Sequence, residues 1–222
     1  MAAAKKTTAA KAVRLKPMPG TGHGGRRDAL LQAAAEVFFE QGYAATSIDA
    51  IIERAGGSKR TIYSEFGNKE GLFSAIVTSN ADQALWTLEI DEMKGHDLRA
   101  TLTELGQRLM GIYMSPTVLG IYRIAITEAN RFPDLVRSFY EQGPGRITMR
   151  LAEVLEAAVQ RGVIETDSCL QAADHFMAMI RGNLHLQVVL GLRPPPSEEE
   201  ATKVVGSAVE IVLNGVRYRE AS

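Results

Sequence analysis

The sequence predicts an all-α chain, with a small N-terminal three-helix head and a larger helical body. Three observations carry this. Apolar residues recur at helical spacing in segment after segment, as with Ile48, Ile51, Ile52 and Ala55 at i, i+3, i+4 and i+7. Capping residues and glycine or proline punctuate those segments, as at Gly56-Gly57-Ser58, Ser115-Pro116 and Phe132-Pro133. No stretch alternates apolar and polar residues as a half-buried strand would, and no internal repeat appears.

The chain begins with an arm, 1–24, rich in Ala, Lys, Thr, Gly and Pro and free of aromatic residues. It is too poor in apolar surface to order itself, and its lysines and arginines suit a solvated tail or an arm that adds contacts to an acidic partner. The first helix is expected over Arg27–Gln41, with Leu30, Ala34, Val37 and Phe38 on one face and Gly42 as its stop. Thr46 is expected to cap the second helix, with Asp49 as an acidic variant of the capping box. Gly56-Gly57 ends it in a sharp turn, and Ser58 caps a third helix.

On the third helix, residues advance about 100° each. Ile62 and Phe66 share the inward face. Arg60, Thr61, Tyr63 and Ser64 point away from it, with Lys59 on the flank. A short helix held by two apolar side chains and presenting Lys, Arg, Thr, Tyr and Ser outward has the chemistry of a recognition helix in a DNA major groove. Lysine and arginine donate to guanine, threonine meets a base edge or a thymine methyl, and tyrosine donates to phosphate.

The remaining helices follow in order. One opens near Asn68 and runs to about Glu89, with Lys69 in its first turn, where its charge and the helix N-terminus would together clamp a phosphate. Asp97–Met114 carries Leu98, Leu102, Leu105, Leu109, Ile112 and Tyr113. Ser115-Pro116 starts the next helix, Pro133–Gln160 is interrupted at Gly143-Pro144-Gly145, and Asp167 is expected to cap a helix reaching Gly191. That helix is apolar nearly all round, so it needs burial on more than one side. Ser197 with Glu200 forms a capping box for the last helix, whose inner face holds Ala201, Val204, Val205, Ala208, Val209 and Val212.

Composition narrows the function classes. The chain has 222 residues and net charge −1, but residues 1–70 carry +4 and the remainder −5. A basic front on an acidic rear suits a nucleic-acid head on a different kind of body. Cys169 is the single cysteine, which fits a reducing cytosol, and no apolar run reaches the roughly 18 residues of a membrane span. His175 and His185 lie ten residues apart on one expected helix and point apart, with no further ligand at metal spacing. No nucleophile motif, phosphate-cradling loop or redox CxxC is present, so neither catalysis, cofactor nor metal is expected.

At Thr46, Ile48, Ile51, Ala55-Gly56, Ser58, Thr61, Tyr63, Phe66, Lys69-Glu70 and Leu72 the chain resembles the TetR/AcrR family of bacterial transcriptional regulators. Residues from about Ile121 to Arg217 resemble the AefR-like C-terminal domain through EANRFPDL, SFYEQGP, LGL and the final helix. The chain departs from the family at Gly57, where valine is usual, and at Glu65, where histidine is common. A carboxylate at Glu65 would repel phosphate. The resemblance implies a helix-turn-helix DNA-binding domain over 25–72 and a regulatory, ligand-binding and dimerisation domain over 73–222. It implies a homodimer formed by the last two helices, a pseudo-palindromic operator in double-stranded DNA, and a repressor released by a small apolar or aromatic effector. Lys59, Arg60 and Thr61 would read bases. Thr46, Tyr63 and Lys69 would bind phosphates, and Ser47, Ser58 and Ser64 complete the DNA-binding set. Trp86, Met110, Tyr113, Tyr122, Phe139, Phe176 and Met177 are the expected effector-binding residues, with Arg123, Asn130, Arg181 and Asn183 as candidate polar partners. Activation instead of repression, a head that has lost its DNA target, and an enzyme on a helical scaffold are the alternative readings.

Overall fold

The computed structural model describes residues 24–85 and 97–215, which form ten α-helices and no strand among the described residues. The basic arm up to residue 23, Trp86, the expected helix end near Glu89, and Arg217 lie outside them. The helices are α1 Gly24–Gln41, α2 Ile48–Ala55, α3 Lys59–Phe66, α4 Lys69–Leu85, α5 Leu98–Tyr113, α6 Pro116–Glu128, α7 Pro133–Gln142, α8 Pro144–Gln160, α9 Cys169–Val189 and α10 Glu198–Asn214. No single helix among the described residues is long and apolar enough to cross a membrane.

Most boundaries follow local chemistry. Ser58 accepts the Thr61 N–H, Asp97 the Arg99 N–H, Ser115 the Val118 N–H and Ser197 the Glu200 N–H. Each satisfies one of the orphan donors at a helix start. Three expectations shift. α1 begins three residues before Arg27. Ser47, not Thr46, caps α2, accepting from Ala50 at 3.1 Å. Ser168, not Asp167, caps α9, accepting from Gln171 at 3.2 Å. The box at α10 is half formed, because the Glu200 carboxylate turns to Arg193 at 2.8 and 2.6 Å instead of reaching back to the cap.

Two apolar clusters organise the chain. The first joins Phe38, Tyr43, Ile51, Ile62, Leu72 and Phe73 of the head to Ile121 and Ile124 of α6 and Leu135 of α7. The second packs α5, α8, α9 and α10 around Leu102, Leu109, Leu151, Phe176, Ile180 and Val205. α4 leaves the head and runs into the body, where Ser138 of α7 donates to Ser74 at 2.9 Å and Arg146 of α8 donates to Asp82 at 2.6 Å.

α9 is one long segment with a break that periodicity does not reveal. Gly182 stands at φ 47°, ψ −163°, inside the helix span. A Cβ there would meet nothing, so the backbone angle and not the available space calls for glycine. Beyond the bend, Arg123 of α6 donates to the carbonyls of Val189 at 2.8 Å and Val188 at 3.2 Å, tying α6 to the end of α9.

Candidate nucleic-acid interface and small-molecule pocket

α3 has only eight residues, far short of the roughly 12–15 that an isolated helix needs to persist in water. Tertiary burial therefore holds it. Ile62 is 1 % exposed and Phe66 is half-buried beneath the Arg27 guanidinium, 5.6 Å from the ring centroid. Burying a side chain such as Ile62 contributes about 1.5–3 kcal/mol. The opposite face of α3 is open, with Lys59, Arg60, Tyr63, Ser64 and Glu65 all exposed.

The turn before it fits its sequence. Gly56 has φ 72° and Gly57 φ 106°, so two successive residues take backbone angles that side-chain-bearing residues rarely adopt. A valine at Gly57 would be strained in this turn as it stands. Asp49 does not complete a capping box. It meets Lys59 across the turn at 2.9 Å, and this exposed pair raises the lysine pKa through the hydrogen bond and then the charge of Asp49. Arg54 clamps α2 to α1 through Glu40 at 3.1 and 2.6 Å.

The expected DNA-binding residues separate into groups. Arg60 and Tyr63 are exposed on the outer face of α3, with no hydrogen bond or ion pair from either side chain recorded among the described residues. Lys59 is exposed but shared with Asp49. Ser47 and Ser58 use their oxygens as caps, Thr61 is half-buried with its hydroxyl 3.1 Å from that of Ser58, and Ser64 donates to the Thr61 carbonyl at 3.0 Å. Each of these serines is exposed, and a hydroxyl engaged in one hydrogen bond keeps capacity for another, to a phosphate.

Two of the expected residues are held inward in this structure. Thr46 is 3 % exposed, and its hydroxyl donates inward to the Gly42 carbonyl at 2.8 Å. It is a turn lock, out of reach of a phosphate. Lys69 is no open phosphate clamp either. Its ammonium donates to the carbonyls of Tyr43 at 2.7 Å, Thr46 at 2.9 Å and Ala44 at 3.3 Å, and it lies 4.6 Å from the Tyr43 ring centroid. An ammonium has three hydrogens, and all are committed. Desolvation lowers the Lys69 pKa, while burial and the neighbouring Glu70 and Glu128 carboxylates push Tyr43 up to about 12. Sequence spacing placed Lys69 at the right helix start but could not reveal that the α1–α2 turn folds over it.

The effector-binding expectation also divides. Met110, Phe176 and Met177 are core, at 2 %, 0 % and 0 % exposure. Tyr122 lines a cavity of about 380 Å³ between α6 and α9, together with Ile126, Arg181, Gly182, His185 and Leu186. Tyr113 and Phe139 stand behind it. Edge-on ring contacts join Tyr122 to His185 at 4.6 Å, to Phe139 at 5.1 Å and to Tyr113 at 6.3 Å. The Tyr113 hydroxyl and His185 Nε2 are buried without a hydrogen-bond partner. Leaving such a group unmet costs about 1–3 kcal/mol. Burial, then the charge of Arg181, lowers the His185 pKa to about 4, so the imidazole is neutral at pH 7. Of the four candidate polar partners, Arg181 alone lines the cavity, Arg123 being tied to the α9 carbonyls. His185, which the sequence reading weighed only as a metal ligand, also lines the cavity, and the available signal was a histidine set in an otherwise apolar helix.

Residues 30–76 match the family described as bacterial regulatory proteins, tetR family, and residues 100–219 match the AefR-like transcriptional repressor C-terminal domain. The chain is 28% identical over 187 residues to YvkB, an uncharacterised helix-turn-helix transcriptional regulator of Bacillus subtilis, covering 84% of this chain and 95% of that protein. It is 29% identical over 164 residues to the transcriptional repressor KstR2 of Rhodococcus jostii, covering 71% of this chain and 76% of that protein. Among solved structures, the flavonoid-responsive regulator FrrA is similar at 34% identity and a TM-score of 0.67, with 86% of this chain and 96% of that chain covered.

Proposed function

The chain belongs to the TetR family of bacterial regulatory proteins, and from that premise we propose that it works as a dimeric repressor released by a small aromatic or apolar effector. It is a DNA-binding transcriptional regulator. The observation that carries the reading is the division of α3 into a buried side at Ile62 and an open side at Arg60 and Tyr63. On that side, Lys59 and Arg60 read base edges with Thr61 beside them, while Tyr63, Ser47, Ser58 and Ser64 fix the register through phosphates. Two such helices in a dimer would enter major grooves roughly 34–36 Å apart, or a multiple of that spacing.

Dimerisation through α9 and α10 is supported by the exposed Leu170 and Ile211 on those helices. Exposed apolar side chains on adjoining helices suit a second protein surface. Repression is supported by likeness to KstR2, and response to a small aromatic molecule by likeness to FrrA. In this reading, residues 25–72 bind the operator and residues 73–222 bind effector and partner, in the cytoplasm, where the single cysteine stays reduced.

The test is a binding titration on the DNA flanking the protein's own gene, across a salt series. A specific complex making about 6–10 phosphate contacts should lose about 10³–10⁵-fold in affinity between 50 and 200 mM salt. Weak binding, equal on every DNA including a library of random sequence, would overturn operator recognition.

A further inference from the structure

The cavity between α6 and α9 has a chemistry more specific than apolar. Its wall holds an aromatic edge from Tyr122 and aliphatic surface from Ile126 and Leu186. Into this apolar setting project two polar groups. His185 is 6 % exposed, lines the cavity, and has a ring nitrogen without a partner. Arg181 is half-buried and faces no carboxylate within ion-pair distance among the described residues. Its guanidinium makes long contacts, 3.4 Å to the Met177 carbonyl and 3.5 Å to the Tyr122 hydroxyl, and lies 6.0 Å from the Tyr113 ring centroid. A half-buried cation with no carboxylate at ion-pair distance, felt only through the more distant charge of Asp174, and a buried imidazole without a partner both suit an external acceptor or donor. Tyr113 lies behind, its ring 5.7 Å from His185 and its own hydroxyl likewise unmet.

The shape supports the same class of guest. The bend at Gly182 lies on the cavity wall, between Arg181 and His185 in sequence, and contributes no side chain to it. A volume of about 380 Å³ is at the small end of the roughly 300–1,000 Å³ typical of ligand sites. The tyrosine and histidine rings already meet edge to face, a packing that a further aromatic ring extends.

We propose that this cavity is the effector site and that it selects a hydroxylated aromatic molecule, whose acidic oxygen pairs with Arg181 and whose second hydroxyl hydrogen-bonds His185. The guanidinium supplies a charge-assisted bond to a phenolate or strongly polarised phenol. The neutral imidazole supplies the second, directional bond, with the Tyr113 hydroxyl behind it. Selection by hydroxyls follows from the two polar groups set in an apolar wall. A guest lacking them fills the volume but leaves both groups unmet. The proposal rests on the reading of the chain as an effector-responsive regulator.

The experiment is calorimetric titration of the full chain with three probes: naringenin, unsubstituted flavanone and decanoate. Naringenin is expected to bind at least tenfold more tightly than flavanone or decanoate. In Arg181→Met and in His185→Phe the preference for naringenin over flavanone collapses toward one. Arg181→Lys, which keeps the charge but loses the fork, restores part of it. Equal affinity for naringenin and flavanone in the native chain would overturn the proposal, as would decanoate binding tightest or an undiminished preference in both variants. A variant that does not fold is replaced by the three-probe comparison on the native chain, which decides alone. A gel shift on the same preparation separates the two readings. Naringenin binding without any DNA binding refutes the regulator and leaves the site standing. DNA binding with no response to naringenin refutes the site.

Discussion

The Glu128 carboxylate at the end of α6 accepts the backbone N–H of Ala44 at 3.3 Å, joining body to head across 84 positions of sequence. Ala44 lies in the turn between α1 and α2, and its carbonyl also receives the Lys69 ammonium. Phe132, just beyond α6, packs edge-on against Tyr43 of the same turn, 5.2 Å between ring centroids. The other end of this connection is the cavity, since Tyr122 and Ile126 lie on α6 two turns or less before Glu128. A guest that shifts α6 therefore bears directly on the turn that sets the position of α2 and α3.

Glu128→Ala should weaken effector response more than DNA binding itself. Removing one element of such a coupling typically changes it by about 0.5–2 kcal/mol. The check is the ratio of DNA affinities with and without effector, which should move toward one. An unchanged ratio would place the coupling elsewhere, for example through the Asp82–Arg146 contact of α4 with α8.

Lys69→Met should act on stability and not on phosphate binding. Three carbonyls lose their donor, at a cost of about 1–3 kcal/mol. In a chain of this size that lowers the melting temperature by roughly 2–10 °C. The salt slope of DNA binding should stay as it was, whereas loss of a true phosphate contact would flatten it by about 0.9. Melting curves and salt titrations on one preparation distinguish the two.

Arg60→Ala and Tyr63→Phe should differ in kind. Loss of a base contact costs about 1–3 kcal/mol on the preferred operator and relaxes preference at the contacted position. Loss of the Tyr63 hydroxyl weakens all sequences alike. Selection from a randomised operator library reads the difference, and identical sequence preferences in both variants would remove Arg60 from base readout.

His185 gives the fold an acid-sensitive element. Its folded pKa is near 4, below the unfolded value of 6.5, so the unfolded chain takes up a proton over that interval and the folded chain does not. Stability then falls as pH drops from 6.5 toward 4, by up to about 3 kcal/mol from this group. Arg181 on α9 opposes its charging, and Tyr113 of α5 and Tyr122 of α6 face it with neutral rings. Denaturant melts of native chain and His185→Phe at pH 7 and 5 should show a shallower acid loss in the variant. Parallel losses would mean that other groups dominate.

By itself the sequence determined what is local. Helical periodicity, the Ser58 cap, the Gly56-Gly57 turn and the inward Ile62 are all set within a few residues, because a helix start, a stop and an apolar face depend on near neighbours. Hence the all-α fold, the three-helix head and the outward face of α3 were legible in advance. The tertiary structure alone decided where polar side chains spend their hydrogen bonds. Lys69 reads as a phosphate clamp until the α1–α2 turn places three carbonyls around it, and Thr46 reads as a cap until Gly42 takes its hydroxyl. Arg181 and His185 share a helix face by their i, i+4 spacing, but that the face lines a cavity depends on α6 lying against α9, which sequence spacing does not encode. Long side chains have several partners within reach, and only the packing of distant segments selects among them.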